Sequence, residues 1–206
     1  MIQAMAETRA LFSANSQQTT NREKRICRAF LRCIGVGYSE ADLVAGQYEP
    51  IDVAVLGAKF QVTEVLGDRR RGDELRELET KYKTACSSAD LLVSIGAPKR
   101  ISFAEIATEV RKRLEAKFIN YTEHGCRGID ALVHIELVNR YLWPTEITFT
   151  EDIGILRAEG WRSVSVLIVP YAFVLFTTDT APTFLKDHAG QLHCVDADMI
   201  NRLFDE

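Results

Sequence analysis

The sequence predicts one mixed α/β domain, a sheet flanked by helices, on three observations. Hydrophobic residues make up 47% of the 206 residues and charged residues 26%, enough apolar material for a real core. Some stretches repeat apolar residues at helical spacing, while others alternate or run continuously as strands do. Their order is helix, strands, helices, strand, short helix, strands, which lacks the regular alternation of a Rossmann chain.

The elements follow in order. Residues 1–16 can form a short helix with Met5, Leu11 and Phe12 as its apolar material, and "NSQQTTN" (15–21) reads as a polar break. Thr20 or Asn21 can then cap a helix running to about Ile34, in which Ile26, Ala29, Phe30 and Cys33 share one face. Residues 35–50 are less regular, and 51–66 read as a hairpin. "GDELRELETKYKTA" is helical in pattern, and "SSADLLVSIG" suggests a second short helix. A long helix is expected from Ser102 to about Tyr121. Ser102 and Glu105 make a capping box, Ile101 and Ile106 a hydrophobic staple, and Phe103, Ile106, Val110, Leu114 and Phe118 a buried stripe. Residues 128–138 read as a strand, 150–160 as a short helix ended by Gly160, and 161–179 as two strands around Val169–Pro170. Two short helices, in "APTFLKDHA" and "DADMINRLFDE", close the chain. The expected organisation is a single domain over 1–206, with a helical extension at 1–20, a core at 21–180 and short helices at 181–206.

Composition narrows the function classes. A net charge of −4 argues against a protein that coats DNA, although a local basic stripe can still hold phosphate. No apolar run approaches the ~20 residues of a membrane helix. The N-terminus lacks the pattern of a signal peptide, so no membrane partner and a cytoplasmic location are expected. Five scattered cysteines without a CxxC pattern indicate neither a disulfide framework nor a zinc site. "LHC" (192–194), near His188, reads as loop.

The informative stretch is "IDVAVLGAKFQVTEVLGDRRRGDE" (51–74). A two-residue loop at Gly57–Ala58 would set a type II′ hairpin in which Asp52 faces Thr63 and Gln61 lies diagonal to Asp52. One face then holds Ile51, Val53, Val55, Phe60, Val62 and Glu64; the other holds Asp52, Ala54, Leu56, Lys59, Gln61 and Thr63. Oxygen-bearing side chains on neighbouring strands suit Mg²⁺ or Mn²⁺, which bind one or two carboxylates together with waters and phosphate oxygens. Arg69, Arg70 and Arg71 can offer guanidinium forks to a nucleic-acid phosphate, or pair with Asp68, Asp73 and Glu74 at a helix entrance.

"PID" (50–52) followed by "FQVTEV" (60–65) resembles the hairpin of the PD-(D/E)XK nuclease superfamily. The hairpin with "LGDRRRGDE" and the later "GWRSVSVLIVP" is also similar to a little-characterised bacterial family of endonuclease-like proteins. The resemblance implies a restriction-endonuclease-like mixed sheet and metal-dependent hydrolysis of nucleic acid. It implies Asp52 as anchoring ligand, Gln61 and Glu23 as further ligands, and Lys59 as the nucleophile-orienting cation. Glu64 could join the catalytic set only through a bulge. Glu40 is a second accessory acid on the same analogy. Gln61 and Thr63 depart from the superfamily's acid and lysine. The alternative is therefore a catalytically silent nuclease-fold protein that binds nucleic acid or a protein partner. On bland grounds, Asp52 could merely satisfy backbone donors at a strand start. Asp130, His134 and Glu136 share one strand face and could bind metal, against the plainer reading of His134 as a satisfied core or edge histidine.

Overall fold

The computed structural model describes residues 16–46, 48, 50–66, 80, 83–84, 99–118, 126–136, 140–142 and 150–195. The expected N-terminal helix, the Arg69–Arg71 run, Trp143, most of the two helices before Pro98 and the last helix lie outside them.

Helix α1 spans Ser16–Cys33. It starts before the expected cap, so Ser16–Asn21 is helix rather than a break. A 3₁₀ turn at Glu40–Asp42 leads to β1 (Val44–Ala45), β2 (Val53–Val55) and β3 (Ala58–Leu66). Next come β4 (Lys99–Ile101), α2 (Phe103–Phe118), β5 (Asp130–Glu136) and β6 (Arg140–Leu142). The chain continues through α3 (Glu151–Ala158), β7 (Ser163–Ile168), β8 (Tyr171–Thr177), α4 (Thr183–Asp187) and β9 (Leu192–Cys194). The capping box of α2 forms as its sequence predicts: Glu105 Oε2 accepts the Ser102 N–H at 2.7 Å, and Ser102 Oγ accepts the Glu105 N–H at 3.2 Å.

Among the described residues, seven strands form one mixed sheet in the order β1-β2-β3-β5-β7-β8-β9. The central pairs β3–β5 and β5–β7 are parallel; the outer pairs are antiparallel. β4 and β6 make a separate parallel pair. One sheet face packs against α1 and α4 through Phe30, Phe60, Leu132, Val174 and Leu185. The other packs against α2 and α3 through Ile106, Leu114, Val133, Val166 and Phe173. Trp161, expected as a packing residue, is fully buried on this second side. The fold is thus the mixed α/β sheet flanked by helices that the patterning implies.

The hairpin register differs from expectation. Val53 pairs with Phe60, Ala54 with Lys59 and Val55 with Ala58. The loop is Leu56–Gly57, with φ of 49° and 82°. Both central residues have positive φ, the type I′ pattern, rather than II′ at Gly57–Ala58. Tertiary anchors hold this turn: Arg162 donates to Gly57 O at 3.0 Å, and Asp130 accepts the Lys59 N–H at 2.9 Å. Because the pairing moves by two residues, every side chain keeps its expected face. Leucine in the left-handed region is strained, and Leu56 is 40% exposed, so it has little packing to lose. Leu56→Asn should stabilise the chain by about 0.5–1 kcal/mol in urea unfolding. A destabilised variant would show that the Leu56 side chain contributes more than its backbone strain costs.

Candidate functional site

The observed ladder ends at Val53↔Phe60, so Asp52, the residue before it, lies beside Phe60–Val62 instead of across from Thr63. Asp52 donates its N–H at 2.9 Å to Phe60 O, the carbonyl of the residue paired with Val53. Its Oδ2 accepts the Val62 N–H at 2.7 Å and Gln61 Nε2 at 3.2 Å. Gln61 Nε2 also donates to Val62 O at 3.0 Å, and Thr63 Oγ1 donates to Gln61 Oε1 at 2.8 Å. Gln61 and Thr63 are both buried. The trio expected on one face is therefore together, joined in a hydrogen-bonded chain. Asp52 does satisfy strand donors, as the bland alternative held.

Two more charged groups reach this point. Glu23, on α1, has its carboxyl pushed up to about 7, first by burial and then by the negative charge of Asp52. Lys117, in the last turn of α2, is half-buried, and that burial lowers its ammonium pKa while Asp52 and Glu23 raise it. Cys27, inside α1, feels both carboxylates as well, after the larger effect of its own burial. Helices from opposite sheet faces thus carry an acid and a lysine that both feel the charge of Asp52. Lys117 was not anticipated. Its only sequence signal is its place beside Leu114 and Phe118 on the margin of the buried stripe.

The other expected members lie elsewhere. Lys59 is exposed, across from Ala54 and toward the turn. The β3–β5 ladder is continuous from Phe60↔Asp130 to Leu66↔Glu136, so no bulge rotates Glu64 toward Asp52. Glu64 stays on the α1 side, ion-paired to Arg22. Glu40 is clamped in two-point fashion by Arg28, at 3.0 and 2.8 Å, which holds its carboxyl below the usual range. Asp130 is fully buried and held by Arg162, Ser163 and the Lys59 N–H. His134 is pushed down to about 4 by burial and then by Arg22. Asp130 therefore leaves the strand-face trio for a structural ion pair. "LHC" is strand β9 rather than loop, and His193 Nε2 lies 3.1 Å from His188 Nδ1. Among the described residues, no three His, Cys, Asp or Glu side chains gather around one point.

Glu23 holds its proton first because of burial and second because of the negative charge of Asp52. The raised Glu23 pKa also has a measurable consequence. The folded chain binds this proton more tightly than the unfolded chain, whose glutamate titrates near 4.5. Stability from this group is full below about pH 4.5, declines as pH rises through about 7, and is level above that. Glu23 is only half-buried, so solvent screening reduces the effect to about 1–2 kcal/mol. Glu23→Gln should gain that amount over wild type at pH 8 and nothing at pH 4 in urea unfolding. Equal gains at both values would remove the pKa shift as the cause.

A protein family described as "Putative endonuclease, protein of unknown function (DUF1780)" matches residues 1–201. The chain belongs to this family. The chain is also similar to a solved structure of a protein of unknown function from Pseudomonas aeruginosa strain PAO1, whose description places that protein in a monooxygenase superfamily. The two are 28% identical, the similarity covers 96% of this chain and 93% of the other, and the TM-score is 0.70. No curated protein matches. Among the described residues, no helix is long and apolar enough to cross a membrane.

Proposed function

We propose that this member of the DUF1780 family is a divalent-metal-dependent nuclease of the restriction-endonuclease-like type. The observation that carries this is the Asp52–Gln61–Thr63 network at the end of the hairpin, with the Asp52 charge felt both at Glu23, pushed up to about 7 by burial first, and at the half-buried Lys117. Raised carboxyl pKa values beside a second acid mark sites built for cations or proton transfer. The hairpin's attachment to a parallel central strand, with helices on both faces, supports the same reading. So does the family's description.

In this proposal Asp52 and Glu23 hold Mg²⁺ or Mn²⁺, with Gln61 beside them. When bound, such a cation lowers the pKa of its water and stabilises charge on the phosphate. Lys117, rather than Lys59, would orient a nucleophile or hold a phosphate oxygen in this proposal, since its charge acts on Glu23 and the charge of Asp52 acts on it. Arg69, Arg70 and Arg71 would add phosphate contacts from the segment that follows β3.

The test is direct. The chain should cut plasmid or single-stranded DNA, or RNA, with Mn²⁺ or Mg²⁺, and EDTA should stop it. Failure to cut any of these at millimolar metal would sink the nuclease proposal. A second proposal has a specific observation behind it: Gln61 and Thr63 stand where the superfamily resemblance requires an acid and a lysine. A silent descendant would shift nucleic acid without cutting it, and its binding would weaken steeply with salt.

A further inference from the structure

Gln61 occupies the position of a ligand but is bonded as something else. Its Nε2 faces Asp52 Oδ2 at 3.2 Å and Val62 O at 3.0 Å. A carboxylate and a carbonyl oxygen can only accept. On the other side, Gln61 Oε1 receives the Thr63 hydroxyl at 2.8 Å. A flip of the amide would set Oε1 against two acceptor oxygens and leave two buried N–H donors facing a hydroxyl. At 2% exposure, neither Gln61 nor Thr63 has bulk water as a substitute partner. The network therefore fixes the amide's orientation, with its N–H rather than its oxygen toward Asp52 and its oxygen turned to Thr63.

We infer that Gln61 is a positioning residue rather than a metal ligand, and that Thr63 holds it in that role. The chain Thr63–Gln61–Asp52, joined by the Val62 N–H, fixes Asp52 Oδ2 with two donors. A cation would then rely on the remaining oxygen of Asp52 and on Glu23. This explains the two departures from the expected motif together. Threonine belongs where the lysine was expected because a hydroxyl can donate to the amide oxygen. Glutamine belongs where the acid was expected because its amide can donate to Asp52, as an ionised acid cannot. The inference rests on the metal-dependent reading above and narrows its ligand set. Outer partners of this kind commonly change metal affinity by about 10–100-fold when removed.

The experiment measures Mn²⁺ binding by electron paramagnetic resonance of the free ion, without substrate. Thr63→Val keeps the shape and suits a strand, so the variant should fold. Its Mn²⁺ dissociation constant should rise about tenfold. Thr63→Ser restores the hydroxyl and should return binding to about twofold of wild type, which a mere packing role would not explain. If Gln61 were instead a ligand, Thr63→Val would free its oxygen, and Mn²⁺ would bind as well or better. That result overturns the positioning role alone. A wild-type chain that binds no Mn²⁺ at millimolar concentration overturns the metal reading and this assignment together.

Discussion

Asp130→Ala should destabilise the chain by about 3–5 kcal/mol, the range for breaking a buried charge pair by deleting one partner. Asp130 is fully buried at the start of β5. Its carboxylate gathers donors from three places. Arg162 donates Nε to Oδ1 at 3.0 Å and Nη2 to Oδ2, Ser163 Oγ donates at 2.7 Å, and the Lys59 N–H at 2.9 Å. The same guanidinium reaches Gly57 O at 3.0 Å. One ion pair therefore ties the hairpin turn, β5 and β7 together. Alanine would leave Arg162 with 12% of its side chain exposed and no carboxylate opposite, and would strand two further donors. Such a loss is a large share of the 5–15 kcal/mol that typical domains possess, and corresponds to roughly 10 °C in melting temperature. Asp130→Asn keeps acceptor capacity and should lose less. A midpoint shift worth under about 1 kcal/mol for Asp130→Ala would show that the pair is not a structural anchor.

That ion pair also shows what local sequence could and could not reveal. The faces of the hairpin were legible because side-chain alternation survives an even shift in register. The register itself was not. The turn is held by Arg162, more than a hundred positions away, and nothing near Leu56 announces that partner. Glu64 illustrates the opposite case: alternation alone puts it off the Asp52 face, and the unbroken β3–β5 ladder keeps it there. Short edge strands such as β1, with two residues, and β9, with three, carry too few positions to display any period.

The composition of the site was legible in part for the same reason. Asp52, Gln61 and Thr63 belong together through the local arithmetic of one hairpin. Glu23 was reachable through the superfamily resemblance. Lys117 was not, because it comes from a helix on the other side of the sheet and looks like any polar residue flanking an apolar stripe. What brings it to Asp52 is the packing of α2 on β3, a tertiary fact.

Asp52→Asn should abolish metal-dependent cleavage while leaving the fold in place, and the choice of asparagine matters. Asp52 Oδ2 accepts the Val62 N–H at 2.7 Å, so alanine removes both a charge and a strand acceptor and should lose about 1–3 kcal/mol of stability besides. Asparagine retains an oxygen for Val62 but carries no charge. In the proposed site one of two carboxylates then disappears, and Mn²⁺ affinity and cleavage should both fall by at least about a hundredfold. A second readout is independent of any metal. The charge of Asp52 is the second-largest reason that the Glu23 carboxyl stands at about 7, after burial. With that charge gone, the Glu23 pKa should fall while burial still keeps it above 4.5, a change visible in ¹³C NMR of the labelled carboxyl. Cleavage retained in Asp52→Asn would remove Asp52 from the chemistry. An unmoved Glu23 pKa would separate the two acids and dissolve the site itself.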